Sequence, residues 1–315
     1  MRWLTVTPVL VLVLTQTQTI KISNQMQGQP CVQLRTPCGA SATVALLGAQ
    51  LLSWIPAAGG ERLYLSPRAV FDGRSAIRGG IPVCFPQFNA RGPLPKHGFA
   101  RNRAWQVLDP GSETHVTLRL CDDDASRALW TAAFDLRLHI VLGTNHLRIT
   151  LEVRNTGNSP WSFTGALHTY LRVNDLARIQ LSGLQQLPVW DAVRDQRGTE
   201  SAAPLVFNQE CDRVYTAAGH TVTMQAVKPV ATSSPIVGLT KNDGLRISQS
   251  ASFANTVVWN PGAVLCATLA DLPADGFRHM LCVEAACVDI PVLVAPGTIW
   301  KGWQELTVLT APAIL

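Results

Sequence analysis

Apolar and polar residues alternate over much of this chain. In 136–142 (LRLHIVL), Leu136, Leu138, Ile140 and Leu142 fall on one face, and in 147–153 (LRITLEV) Leu147, Ile149, Leu151 and Val153 do the same. Successive side chains of a strand point to opposite faces, so this period of two predicts strands with one buried face. Gly143, Thr144 and Asn145 between them suit a short hairpin connection. HVTLRLC (115–121) alternates as well, with Val116, Leu118 and Leu120 expected to point inward. Further strands are expected at 41–54, 160–173, 204–208, 221–227, 280–289 and 303–310. Helical signals are scarce. The best, 265–279, sets Leu265, Leu269 and Leu272 ahead of Pro273, so any helix there is short. Many strands without a helical layer predict an all-β fold, a large antiparallel β-sandwich with few short helices. No repeat or linker interrupts it, and residues 26–315 read as a single domain, monomeric for want of an obvious apolar edge.

Composition changes the picture little. With 47% hydrophobic and 15% charged residues the chain has the material for a large core. The net charge of +5 is mild, and Lys and Arg are scattered, which speaks against a nucleic-acid partner and suits a small anion better. No zinc-type CxxC pair occurs among the eight cysteines. They read as reduced, buried residues, which points to the cytoplasm. Residues 3–14 form an apolar run behind Arg2, too short to span a bilayer. Residues 1–25 are a poor signal peptide, an extra edge strand, or sequence upstream of a true start at Met26. The last is favoured, and the first keeps secretion open. GxGxxG, P-loop and GxSxG motifs are missing, so nucleotide-dependent and serine-hydrolase chemistry have no support.

Chemistry concentrates in three places. Residues 77–103 (IRGGIPVCFPQFNARGPLPKHGFARNR) combine a glycine pair with Pro82, Pro86, Pro93 and Pro95, which makes a rigid loop that fixes Arg78, His97 and Arg101. Glu284 lies in MLCVEAACV (280–288), apolar on both faces of a strand, where a carboxylate must be paired, solvated in a cleft or shifted upward in pKa. A carboxylate shifted upward is what a general base needs at neutral pH. In GALHTYLRV (165–173) alternation places His168, Tyr170 and Arg172 on one face, and imidazole can give and recover a proton near neutrality. A structural role remains open at each position: a Glu paired with a core Arg, a histidine packed in a strand, a solvated basic loop. The remaining histidines, 115, 139, 146, 220 and 279, read as surface or structural residues.

The block IRGGIPVCFPQF followed by HGFAR resembles the signature of the hexose-6-phosphate mutarotases, within the aldose 1-epimerase superfamily. GALHTYLRV, ECDRVYT, VVWNP, CVEAACV and APGTIW follow in the same order, and the likeness spans roughly residues 30 to 310. The resemblance implies a large β-sandwich with its site on a concave sheet face. It implies that Glu284 and His168 are the catalytic acid/base pair, and that Arg78 and Arg101 bind a phosphate. His97 would hydrogen-bond the sugar, Asp212 would hold its hydroxyls, and Lys96, where some members have Gln, would add a third positive group or point to solvent. Such chemistry needs no metal, nucleotide or other cofactor. The expected partner is a small-molecule sugar phosphate, neither nucleic acid nor membrane. The expected activity is interconversion of the anomers of a hexose 6-phosphate. Three other readings stand beside it: a mutarotase for unphosphorylated aldoses, a carbohydrate-binding protein without catalysis, and a regulatory protein with a sugar phosphate as effector.

Overall fold

The structure, a computed structural model, describes residues 22–226 and 244–309. The alternating segments form antiparallel strands, as their pattern predicts, and only two α-helices are found among the described residues, Asp124–Leu129 and Gly262–Thr268. A nine-stranded sheet runs in the order Leu205–Val206, Ile179–Ser182, Thr221–Ala226, Gly244–Gln249, Ile299–Leu309, His146–Asn155, Phe134–Leu142, His115–Cys121, Gln106–Ser112. An eight-stranded sheet runs Gln196–Thr199, Pro188–Asp191, Cys211–Thr216, Asn255–Asn260, Met280–Val294, Trp161–Leu167, Val83–Cys84, with Tyr170–Arg172 also pairing on Met280–Val294. A four-stranded sheet, Ile22–Met26, Gln29–Arg35, Ser41–Ala45 and Leu51–Ile55, completes the fold. The expected domain start at residue 26 coincides with the last residue of the first of these strands, and residues 1–21 lie outside the described residues.

The long alternating strands bury the faces their sequence marks. Leu136, Leu138, Ile140, Leu147, Ile149, Leu151 and Val153 are all at most 1% exposed and belong to one core cluster. Each such burial contributes roughly 1.5–3 kcal/mol against the exposed state. Leu120 is only half-buried, since its strand is near the sheet edge.

Two expected strands are broken. The apolar run 41–54 turns at Leu46–Gln50, where Gly48 and Ala49 take φ of 70° and 47°. The segment 160–173 is interrupted after Leu167, yet its register is kept: Ala166 opposes Ala286, Leu167 opposes Ala285, and Tyr170 opposes Cys282. Continuing that register sets position 168 against Glu284.

Met280–Val294 is the central element. Leu281, Val283, Ala285 and Cys287 pack into the main core between the large sheets, while Cys282, Ala286 and Val288 fall into separate clusters on the opposite face. Glu284 shares that opposite face by alternation. Gln304, fully buried on the neighbouring sheet, ties the layers together. It donates to the Val283 carbonyl at 3.0 Å and accepts from Thr169 Oγ1 at 2.5 Å, so it ties together the residues next to Glu284 and His168.

Candidate active site

A cleft enclosing about 550 Å³, its open mouth included, lies on the outer face of the eight-stranded sheet. All seven residues singled out from the sequence line it: Arg78, Lys96, His97, Arg101, His168, Asp212 and Glu284. Tyr170, Trp259, Val257, Phe88 and Asn89 complete the wall. Arg172, expected on the same face as His168 and Tyr170, does not line it, because the strand runs past the edge of the cleft.

Sheet register explains the convergence. Asp212 opposes Trp259, Trp259 opposes Cys282, and Cys282 opposes Tyr170, so these four form one row across the sheet. Val257 opposes Glu284 in the adjacent row, and His168 completes it. Directly paired residues share a face, so strands distant in sequence deliver their side chains to one patch.

Loop backbone supplies the rest. Arg78 precedes Gly79 and Gly80, whose φ values are 119° and 62°. A Cβ on Gly80 would run into the Leu51 carbonyl, and Gly80 N–H donates to the Tyr64 carbonyl at 2.7 Å. Only glycine permits this approach. His97 and Gly98 also take positive φ, 67° and 71°, and a Cβ on Gly98 would meet the Phe85 carbonyl. The Gln87 side chain fastens the loop between, donating to the carbonyls of Asn89 and Leu94 and accepting from Leu94 N–H.

His168 Nδ1 stands 3.3 Å from Glu284 Oε1, and the two side chains are 8% and 1% exposed. Glu284 Oε2 and His168 Nδ1 have no hydrogen-bond partner among the described residues. Burial, and then Asp212, hold the Glu284 carboxyl well above the usual carboxylate range. Burial also holds His168 well below the imidazole range, and His97, Arg101 and Arg78 add to it. Each group therefore favours its neutral form. A neutral acid beside a neutral imidazole has the same proton count as carboxylate beside imidazolium; the two states differ in where one proton lies.

His97 differs. Its Nδ1 accepts the Asn89 backbone N–H at 3.2 Å and lies 3.2 Å from Cys84 Sγ. Accepting that bond leaves the ring proton on Nε2. Burial, with Arg101, Lys96 and Arg78, pushes its pKa down to about 2. His97 is thus a neutral donor and not an acid at physiological pH.

Cations crowd the cleft. Arg78 donates from Nε to Asp271 at 3.0 Å and from Nη1 to the Tyr170 hydroxyl at 3.1 Å. Arg101 donates to the Lys96 carbonyl at 2.8 Å, and its buried Nε has no partner among the described residues. The Tyr170 ring lies parallel to the His168 ring, 4.7 Å away and inclined by 8°. Trp259 meets both rings edge-on, at 6.1 and 6.2 Å. Tyr170, Trp259 and Asp271 were not selected from the sequence. Trp259 stands in the VVWNP block, and Tyr170 was on the marked face, but nothing local identifies Asp271.

Comparison with known proteins identifies the family and the fold. A model of the family described as aldose 1-epimerase matches residues 30–307. A relative from Cenchrus ciliaris, provisionally named glucose-6-phosphate 1-epimerase, is 34% identical over 283 residues, 86% of this chain and 82% of its own. One from Escherichia coli K12 with the same provisional name is 34% identical, covering 78% and 79%. Among solved structures, a provisionally named mutarotase from Salmonella typhimurium superposes with a TM-score of 0.80 at 28% identity, covering 94% and 95% of the two chains.

Proposed function

The chain belongs to the aldose 1-epimerase family, and on that premise we propose that it interconverts the α and β anomers of a hexose 6-phosphate, glucose 6-phosphate foremost. The observation that carries this reading is the joining, in one cleft, of a buried carboxyl–imidazole pair with two guanidiniums and an ammonium, against which stand the half-buried Asp212 and the Asp271 that pairs with Arg78. Arg presents parallel N–H donors that match a phosphate, and a neutral sugar has no use for them.

In the reactive state the proton shared by the pair lies on His168. Glu284 takes the proton of the C1 hydroxyl while His168 gives one to the ring oxygen. The C1–O5 bond breaks, and the C1–O1 bond becomes a carbonyl. Rotation about C1–C2 exposes the other face of the aldehyde, and the reverse transfers close the ring with inverted configuration. His97 donates from Nε2 to the sugar, and Asp212 accepts from its hydroxyls. Nothing is consumed, so the enzyme changes the rate and leaves the anomeric ratio as it was.

The test is the anomerisation of freshly dissolved α-glucose 6-phosphate, followed by polarimetry beside α-glucose, with the spontaneous rates subtracted. Fast turnover of the phosphate ester and little of the free sugar is the expected result. Equal turnover of both would indicate a mutarotase for free aldoses, and acceleration of neither a binding protein without catalysis.

A further inference from the structure

Resting on that reading, we propose that the substrate's phosphate is an activator of the chemistry as well as a handle: seated on Arg78 and Arg101, the dianion lets the proton held by Glu284 pass to His168, with Tyr170 linking the two sites.

The geometry supplies the link. Arg78 reaches the Tyr170 hydroxyl at 3.1 Å, the Tyr170 ring stacks on His168 at 4.7 Å, and His168 Nδ1 stands 3.3 Å from Glu284 Oε1. An unbroken series of contacts therefore joins a phosphate-binding guanidinium to the acid/base pair. The charged and titratable groups facing His168 are Arg78 and Arg101 from the loop, His97, Tyr170 beside it, and Glu284 and Cys282 from the facing strand. Those facing Glu284 include Asp212 and Lys96. Arg101 and Arg78, the latter paired with Asp271 at 3.0 Å, oppose an imidazolium at position 168, and Asp212 opposes a carboxylate at 284. Only the first opposition is removed by an anion bound to the arginines.

The step is a proton transfer within the pair. The O–H bond of the Glu284 carboxyl breaks, an N–H bond forms at His168 Nδ1, and no proton enters or leaves the protein. The imidazolium so formed lies over the Tyr170 ring, whose π face favours a cation. Tyr170 is a positioning residue in this scheme: it orients Arg78 through its hydroxyl and supports the charged form of His168 through its ring. The consequence concerns specificity. A sugar without phosphate finds the pair in its resting state, so discrimination falls on kcat and not on KM alone.

D-xylose, which has the pyranose ring of glucose but no C6 group, is the probe, with phosphite dianion added separately at pH 8. Phosphite also catalyses mutarotation in solution, so the protein-free rate at each concentration is subtracted. The proposal expects xylose anomerisation to rise saturably with phosphite, on the order of tenfold to a hundredfold, as removal of a unit charge near the acid implies. It expects Tyr170→Phe, which keeps the ring but loses the hydroxyl that orients Arg78, to bind phosphite more weakly and to reach a lower activated rate at saturating phosphite. Its kcat for glucose 6-phosphate should fall more than its KM rises. Rapid turnover of glucose 6-phosphate, with phosphite leaving the xylose rate unchanged while inhibiting the phosphate ester competitively, would overturn the proposal and leave the activity intact. Absence of turnover with glucose 6-phosphate would overturn the activity itself. Full activation in Tyr170→Phe would remove Tyr170 from the scheme.

Discussion

Replacing Glu284 by Gln changes one group and almost no volume, so it separates catalysis from stability. The carboxyl is 1% exposed, 3.3 Å from His168 Nδ1, and has one oxygen without a partner. Loss of a positioned general base costs about 10²–10⁴-fold in rate, which is roughly 2.7–5.4 kcal/mol in the barrier. Stability should move the other way. Because the folded state raises the Glu284 pKa, the folded chain holds a proton that the unfolded chain has already lost once the pH exceeds the ordinary carboxylate range. The stability contributed by such a group falls as pH rises through that window, at up to about 1.4 kcal/mol per pH unit. Gln titrates nothing, and its amide N–H can donate to the unpartnered His168 Nδ1. Glu284→Gln should therefore match wild type near pH 4 and exceed it increasingly toward pH 8. The assays are polarimetric anomerisation of α-glucose 6-phosphate and urea unfolding across that pH range. A variant that keeps more than about a tenth of the activity, or is less stable than wild type at pH 8, would refute the reasoning.

Three further perturbations test other parts of the site. Arg101→Ala should raise KM for glucose 6-phosphate about 10–100-fold, the value of charge-assisted hydrogen bonds to one phosphate, and should raise the slow rate with xylose, because one of the two guanidiniums opposing an imidazolium at His168 is gone; equal losses with both sugars would place Arg101 elsewhere in the chemistry. His97 stays neutral down to about pH 2 in the folded chain, so wild type should lose stability as pH falls below the ordinary imidazole value. His97→Asn should flatten that loss in acid unfolding curves, whereas an unaltered slope would mean that His97 titrates normally. Gln304→Leu should lower kcat at least several-fold while KM moves little, because the residues next to His168 and Glu284 lose their tie; an unchanged kcat in a folded variant would show that the tie is dispensable.

Much of this was legible in the chain. Strands 134–142 and 146–155 follow from strict alternation, and Glu284 stood out because no other charge lies in MLCVEAACV. The loop 77–103 announced itself through glycine and proline, and the contacts of Gly80 and Gly98 show why those residues are required. The turn at 46–50 was hidden because LLGAQLL keeps apolar residues on both sides of it. Arg172 was misplaced because alternation fixes a face but says nothing of where a cleft ends along it. Asp271 and Gln304 were invisible for a different reason. Each meets its partner across more than a hundred residues of sequence or from another sheet, 193 residues for Asp271 and Arg78, and no local pattern encodes such a meeting.

The central claim is that one cleft sets a phosphate on Arg78 and Arg101 while it presents the anomeric centre to His168 and Glu284. A crystal structure of Glu284→Gln with bound glucose 6-phosphate tests it most directly. The prediction is phosphate oxygens within hydrogen-bond reach, about 3 Å, of both guanidiniums, the ring oxygen at His168, and O1 at residue 284. A sugar bound with its phosphate toward solvent, or with C1 turned away from His168, would contradict it.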